Sequence, residues 1–325
     1  MQWQRASEIS LAEESLNLFA PLSDHTDPFC STGLWQISAH EAFNPDRALW
    51  GNVGETGALV FALQEQNSGM TVLEPLEPMW LLGCPLVGPE PGLLMEELEE
   101  ALGKETGWDA LILSGLRVSE TILRALAQLH RRYRVCLGPA TGRCVASLEG
   151  GLDGFLARRS GNLRKALRRC ARKARDLGIE FEPAVASDVR ELELMMDRIF
   201  RVESESWKGL GGVGVDQGEM RTFYSVMLPR LLEADGLKLT FALWEGKDIG
   251  FILGGVLGDT YRGLQFSFHQ GYNELGLGNL LQLQHILELS EQGISYYDLG
   301  TDMAYKRRWA ERVMETMTFV LYKNS

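Results

Sequence analysis

YRGLQFSFHQGYNELGLGNLL, residues 261–281, reads as three pieces in succession. Residues 261–268 form an aromatic-rich strand, residues 269–278 a loop, and a helix opens at Asn279 with Leu280 and Leu281 to anchor it. A Gly-x-Gly turn, here Gly276-Leu277-Gly278, between a strand and a helix suits a phosphate group. Glycines let the backbone approach closely and take positive φ, while the free N–H groups and dipole of the helix face the anion. Glycines also cap ordinary turns, so the surrounding pattern decides between the two readings.

Upstream lie two more apolar strands, 237–244 and 249–257. The polar turns 245–248 and 258–260 join the three into an antiparallel meander. Before the meander come a helix over 189–200, capped by Asp188, and another over 220–232. Between them runs Glu203-Ser204-Glu205-Ser206-Trp207-Lys208-Gly209 and a glycine-rich loop. Downstream of the helix at 279–292, a strand at 296–299, a short helix around 305–310 and a strand at 316–322 follow. Further upstream, FLARRSGNLRKALRRCARKARDLG (155–178) predicts a basic helix over 158–177. Leu163, Leu167, Cys170, Ala174 and Leu177 form its docking face, arginines and lysines its other face, and Gly178 stops it. That cationic face is either solvated or a platform for a polyanionic donor.

The length of 325 residues suits two domains, placed at 1–150 and 151–325. In the first half, strands flank a polar turn at 64–69. A helix over 93–104, a strand over 108–114 and a helix over 119–131, capped by Ser119, follow. A net charge of −12 argues against general nucleic-acid affinity, though it leaves room for a local basic patch. The five cysteines are scattered without a C-x-x-C pair, which makes a zinc site or disulfide framework improbable. No H-E-x-x-H, Gly-x-Ser-x-Gly or P-loop motif occurs, and no metal is expected. No signal-peptide core and no run of about 18 apolar residues occurs, so a cytoplasmic protein without a membrane span is expected. Nothing in the pattern sets an oligomeric state.

The order helix, helix, meander, Gly-x-Gly turn, helix, strand resembles the GNAT superfamily of acyltransferases. Its phosphate loop reads (Gln/Arg)-x-x-Gly-x-(Gly/Ala); Asn273-x-x-Gly276-x-Gly278 follows it with Asn at the first position. The basic helix, Glu205–Gly209, Tyr297-Asp298-Leu299-Gly300 and Tyr305-Lys306-x-x-Trp309 look like CelD-type acetyltransferases. These are similar in turn to FemAB-type aminoacyl transferases, which carry two GNAT-like folds in tandem. Asp27-Pro28-Phe29 through Trp35 also resembles their opening segment. The resemblance implies an α/β (α+β) chain of tandem GNAT-like folds, each a mixed, mostly antiparallel sheet flanked by helices, the first copy degenerate. It implies an N-acyltransferase taking an acyl group from acetyl-CoA or another acyl-CoA to an amine of a small-molecule or saccharide acceptor. Direct attack in a ternary complex is expected, since no convincing acyl-enzyme nucleophile is present. Phe268, Asn273, Gly276, Leu277, Gly278 and Asn279 would hold coenzyme A. Aminoacyl-tRNA is the alternative donor, favoured by the basic helix and disfavoured by the net acidity. A third reading is a binding module that kept the fold without turnover, for which Asn273 speaks.

By the same resemblance, the acyl arm lies in a splay between strands 261–268 and 296–299. Amide formation there needs a polarised carbonyl and a group to manage protons. Asp298 is a candidate base mid-strand, or else an Asp bonded to nearby backbone. Glu205 is a second catalytic candidate. Glu205, Glu203, Trp207 and Lys208 lie between a helix and a Gly-rich loop, and either build an amine pocket or merely cap and pair. Lys306 is a third catalytic candidate, a contact to the donor carbonyl or phosphates as a family lysine in a comparable position implies, or else a surface lysine. Tyr261 and Gln265 alternate along the strand toward the same cavity, with His269 just past it, and Tyr305 precedes Lys306. His269 reads more readily as a plain loop histidine, and His130 and His285 as packing residues on helices.

Overall fold

The structure is a computed structural model that describes residues 3–4 and 9–324. Its contacts fall into two units, Met1–Gly142 with Glu315–Ser325, and Arg143–Met314. The first unit begins with β1 (Trp3–Gln4), α1 (Ile9–Phe19), α2 (Gly33–Phe43), β2 (Ala48–Val53) and β3 (Ala58–Glu65). The polar turn at 64–69 closes a hairpin, with Leu63 of β3 opposite Leu73 of β4 (Thr71–Glu74). The short β5 (Leu86–Val87) also pairs with β3. A crossover helix, α3 (Pro91–Lys104), then leads to β6 (Ala110–Leu116), which runs parallel to β4. Ser119 caps α4 (Glu120–Leu129) by accepting from the Ile122 N–H at 3.3 Å. Leu94, Leu98 and Leu102 of α3 and Ile122, Leu126 and Leu129 of α4 fill one core with Trp50, Phe61 and Trp108. This is the one-sided burial that their helical spacing implies.

The chain leaves the first unit within β7 (Tyr133–Ser147). The second unit continues with α5 (Gly151–Ala157), α6 (Gly161–Asp176), β8 (Glu180–Ala184), α7 (Val189–Ser204), α8 (Trp207–Leu210) and α9 (Gly218–Glu233). The meander forms as β9 (Leu237–Trp244), β10 (Lys247–Leu257) and β11 (Thr260–Phe268), followed by α10 (Leu277–Glu291) and β12 (Tyr296–Thr301). The strand order in this unit is β7-β12-β11-β10-β9-β8, antiparallel throughout except that β12 runs parallel to β11. Here α10 is the crossover, and Leu277, Leu280 and Leu281 pack it on Ala242, Ile249 and Ile252. Asp188 caps α7 at the Glu191 N–H, 2.9 Å. Each unit is a mixed, mostly antiparallel sheet flanked by helices, with one parallel pair joined through a crossover helix.

Three features differ from the sequence reading. The basic stretch is not one helix over 158–177. It breaks after α5, and Ser160 caps α6 by accepting from the Leu163 N–H. Arg158 and Arg159 are drawn from the cationic face to Glu311, and the Arg159 guanidinium stacks 4.2 Å above the Phe155 ring. The short helix around 305–310 is a pair of hydrogen-bonded turns instead, Lys306 N–H to Met303 and Trp309 N–H to Lys306. The indole of Trp309 is buried and stacked on Phe155, which holds the segment down. Finally, β13 (Arg312–Lys323) re-enters the first unit, where Val320 lies opposite Ile112 of β6.

Candidate active site

β11 and β12 are paired from Thr260–Tyr296 to Arg262–Asp298 and part beyond that point. On its other edge β11 carries a bulge. Leu253 of β10 faces Gln265 and Gly254 faces Gly263, which leaves Leu264 as the extra residue. A bulge bends and twists its strand, and here it turns β11 away from β12. The gap opens into a cavity of about 480 Å³, lined among others by Lys208, Gln265, Phe266, Ser267, Tyr297 and Lys306.

Successive side chains of β11 point to opposite faces of the sheet. Phe266 and Phe268 face α10, where a Cβ on Gly278 would meet their rings at 2.9 and 3.2 Å. Only glycine allows that approach. Gly276 enters α10 in the left-handed region at φ 67°. Gly276, Gly278, Asn279, Gln282 and Arg308 line a second hollow of about 200 Å³ beside those rings. Arg308 donates to the Asn279 side chain at 3.0 Å. The basic helix α6 packs onto this same turn. The Cys170 sulfur is 2.7 Å from where a Gly276 Cβ would stand, and the Lys173 ammonium donates to the Glu274 carbonyl at 3.3 Å. Arg168, Arg169 and Arg172 are exposed on α6. A helix N-terminus, which leaves its first N–H groups without intrahelical partners, therefore lies beside a cationic helix.

Gln265 points to the opposite face and donates to the Glu203 carboxylate of α7 at 3.1 Å. Glu203 is fully buried. The same oxygen accepts from the Val215 N–H at 3.2 Å and lies 3.9 Å from the Lys208 ammonium. Lys208 donates to the Phe266 carbonyl at 2.8 Å, on the edge of β11 that borders the gap. Trp207 stands exposed at the cavity mouth. Glu205 is half-exposed beside His269, 3.6 Å away, and neither residue lines the cavity. Lys306 and Tyr305 enter from the segment after β12. Burial lowers the Lys306 amine to a pKa of about 8, against the opposing pull of Asp298. Among the described residues no carboxylate pairs with it.

Asp298 does not face the cavity. It is buried, with one oxygen held by both Arg143 of β7 and Arg262 of β11, and the other by the Gly300 N–H at 2.8 Å. It ties three strands together at the last paired register before the gap. Tyr261 is also withdrawn into the core, packed between Tyr297 and His285 with its phenol across Gly254. The residue that reaches the cavity from this stack is Tyr297. Ser267 and Gln282 are among the lining residues that the sequence reading passed over, and Tyr297 entered it only within the Tyr297–Gly300 motif. For Ser267 the signal was present, since it shares the period-two face of Gln265. Gln282 carried no such signal.

Residues 161–307 match the family model described as an acetyltransferase (GNAT) domain. Among curated proteins no sequence matches the chain. Among solved structures, FemX is similar with a TM-score of 0.65 at 11% identity, covering 98% of this chain and 97% of that one. A conserved protein of unknown function from Bacteroides thetaiotaomicron gives 0.61 at 15%, covering 96% and 97%. L-PGS from Bacillus licheniformis gives 0.55 at 14%, covering 93% of each. At these identities the likeness is one of fold. The chain carries a GNAT-type acetyltransferase domain, and it is an acyltransferase.

Proposed function

We propose that the second unit transfers an acyl group, in the first instance acetyl, from a coenzyme A thioester to an amine of a small-molecule or saccharide-linked acceptor. Attack is direct, within a ternary complex. The carrying observation is the continuity of three features: a strand gap, a glycine-opened helix N-terminus beside it, and a cationic helix against that turn. The donor pyrophosphate sits on the Leu277 and Gly278 N–H groups, since those of Gly276 and Asn279 close the turn itself, with Asn273 exposed at its edge. Arg168, Arg172, Lys173 and Arg308 supply the remaining positive charge. The pantetheine arm passes Phe266, Phe268 and Gln282 into the gap. There the Lys306 ammonium meets the thioester oxygen, where negative charge builds in the transition state. The CelD-type branch fits this reading, with the first unit as the degenerate copy and 1–150 and 151–325 as the ancestral halves. Among the described residues no helix is long and apolar enough to cross a membrane; we place the protein in the cytoplasm, where acyl-CoA is available.

Acetyl-CoA at a hundredfold excess over its dissociation constant stabilises the fold by about 2.7 kcal/mol, read as a saturable rise in melting temperature. Absence of any shift with acyl chains from two to sixteen carbons sinks the coenzyme A reading. The double variant Arg168→Glu, Arg172→Glu is expected to weaken donor binding at least ~10-fold at low salt, and less as salt screens the charges. Unchanged affinity would remove α6 from the donor site. The same cationic face supports a second reading, an aminoacyl-tRNA donor. Salt-sensitive retention of charged tRNA, with no acyl-CoA shift, would put it first. Binding of acyl-CoA without turnover on any amine would leave a binding module.

A further inference from the structure

An amine that becomes an amide gives up a proton, and the carboxylates nearest the gap are poorly suited to take it. Asp298 is locked between two guanidinium groups, and Glu205 stands outside the cavity. The α7–α8 face of the gap offers a different arrangement. We propose that the acceptor enters from this face and that the Lys208 amine takes its proton as the new C–N bond forms. The proposal rests on the acyl-transfer reading above and names the base within it.

Lys208 is fixed at both ends. The Ser206 hydroxyl accepts from the Lys208 and Gly209 N–H groups, both at 3.2 Å, so the backbone of α8 is pinned. Its amine rests on the Phe266 carbonyl, on the strand edge exposed by the gap. A neutral lysine keeps two N–H bonds and one lone pair. One N–H serves Phe266, which leaves the lone pair for an acceptor N–H. Glu203 behind it is pinned by Val215 and Gln265, and its second oxygen has no hydrogen-bond partner among the described residues. Ser267 adds an independent sign of a ligand. Its hydroxyl is buried in the cavity wall, on the same face as Gln265, and has no hydrogen-bond partner among the described residues. A buried unpaired hydroxyl costs free energy unless something polar arrives to meet it.

The titratable groups that face this site are Glu203 from α7 and, behind it, Tyr224 from α9, whose phenol burial keeps protonated. Lys306 and Tyr305 border the same cavity from beyond β12, and Tyr297 from β12 itself, with burial keeping both phenols protonated. β11 offers no titratable group there, only Gln265, the Ser267 hydroxyl and the Phe266 carbonyl. Burial pulls the Lys208 amine below its ordinary value, and Glu203 pulls it part of the way back. In the transfer step the acceptor nitrogen attacks the thioester carbon, C–N forms and C–S breaks. Lys208 gains the N–H proton and coenzyme A departs as thiolate. That proton then passes to the thiolate, directly or through solvent, so that amine and thioester become amide and thiol.

The test uses the full chain with acetyl-CoA, a panel of simple primary amines that includes glucosamine, and thiol release as the readout. Lys208→Met is expected to keep the acetyl-CoA melting shift while kcat/KM falls roughly 10²–10⁴-fold. Lys208→Arg falls as far, because a guanidinium does not give up its proton. Glu203→Gln removes the charge that raises the Lys208 pKa, so the acid limb of kcat/KM moves to lower pH. Wild-type turnover in Lys208→Met, or an unmoved acid limb in Glu203→Gln, overturns the assignment and leaves acyl transfer standing. A wild-type protein that binds no acyl-CoA from two to sixteen carbons and releases no thiol sinks both.

Discussion

Lys306→Met lowers acyl-CoA turnover by roughly 10²–10³-fold, the usual loss when one donor to a developing oxyanion is removed, and leaves donor affinity nearly unchanged. The expectation follows from where the ammonium lies. It borders the gap beyond the last β11–β12 pair, with no carboxylate partner among the described residues. In a half-buried site its charge is screened less than in water, so it acts strongly on a thioester oxygen. Burial brings its pKa to about 8, so the cation dominates at pH 7 and is lost as pH rises through 8. Turnover should therefore carry an alkaline limb near that value, absent from the residual activity of Lys306→Met. Equal loss of donor binding and turnover in Lys306→Met would move Lys306 to the donor phosphates instead.

Asp298→Asn is expected to cost the second unit about 3–5 kcal/mol, the range for breaking a buried ion pair from one side. The neutral amide takes away the carboxylate charge that Arg143 and Arg262 share. For a unit of this size the melting temperature drops by roughly 10 °C, at about 2–4 °C per kcal/mol. Since Asp298 ties β7, β11 and β12 at the register where the gap begins, turnover falls with the fold. A variant of unchanged melting temperature and abolished turnover would return Asp298 to the chemistry. Replacing Asp298, Arg143 and Arg262 together by apolar residues of similar volume should recover most of the stability, since no charge is then stranded.

Much of the second unit was readable from local rules. The polar turns at 245–248 and 258–260 and the apolar runs between them yield β9, β10 and β11, because a hairpin is set by turn chemistry and alternation within a few residues. Asp188, Ser119 and Gly178 mark helix ends for equally local reasons. The Gly276–Gly278 turn was visible because its glycines answer to backbone geometry, which the chain carries wherever it goes. Side-chain roles were not. Asp298 and Lys208 are both charged residues beside aromatic neighbours in the sequence, yet one became a strut and the other borders the cavity. Arg143 and Arg262, which decide the fate of Asp298, lie 155 and 36 positions away along the chain.

Composition, alternation and punctuation sufficed for the order of the meander and its flanking helices, for the Gly276–Gly278 turn and for the cationic face of α6, since each depends on neighbours within about one turn or one hairpin. The parting of β11 from β12, the bulge at Leu264 and the delivery of residues 315–323 to the first unit depend on strand partners distant in sequence. So does the sorting of β11 into one face of Phe266 and Phe268 and another of Gln265 and Ser267. Alternation makes two faces certain, but only the helices packed on each, α10 on one and α7 on the other, give them different chemistry.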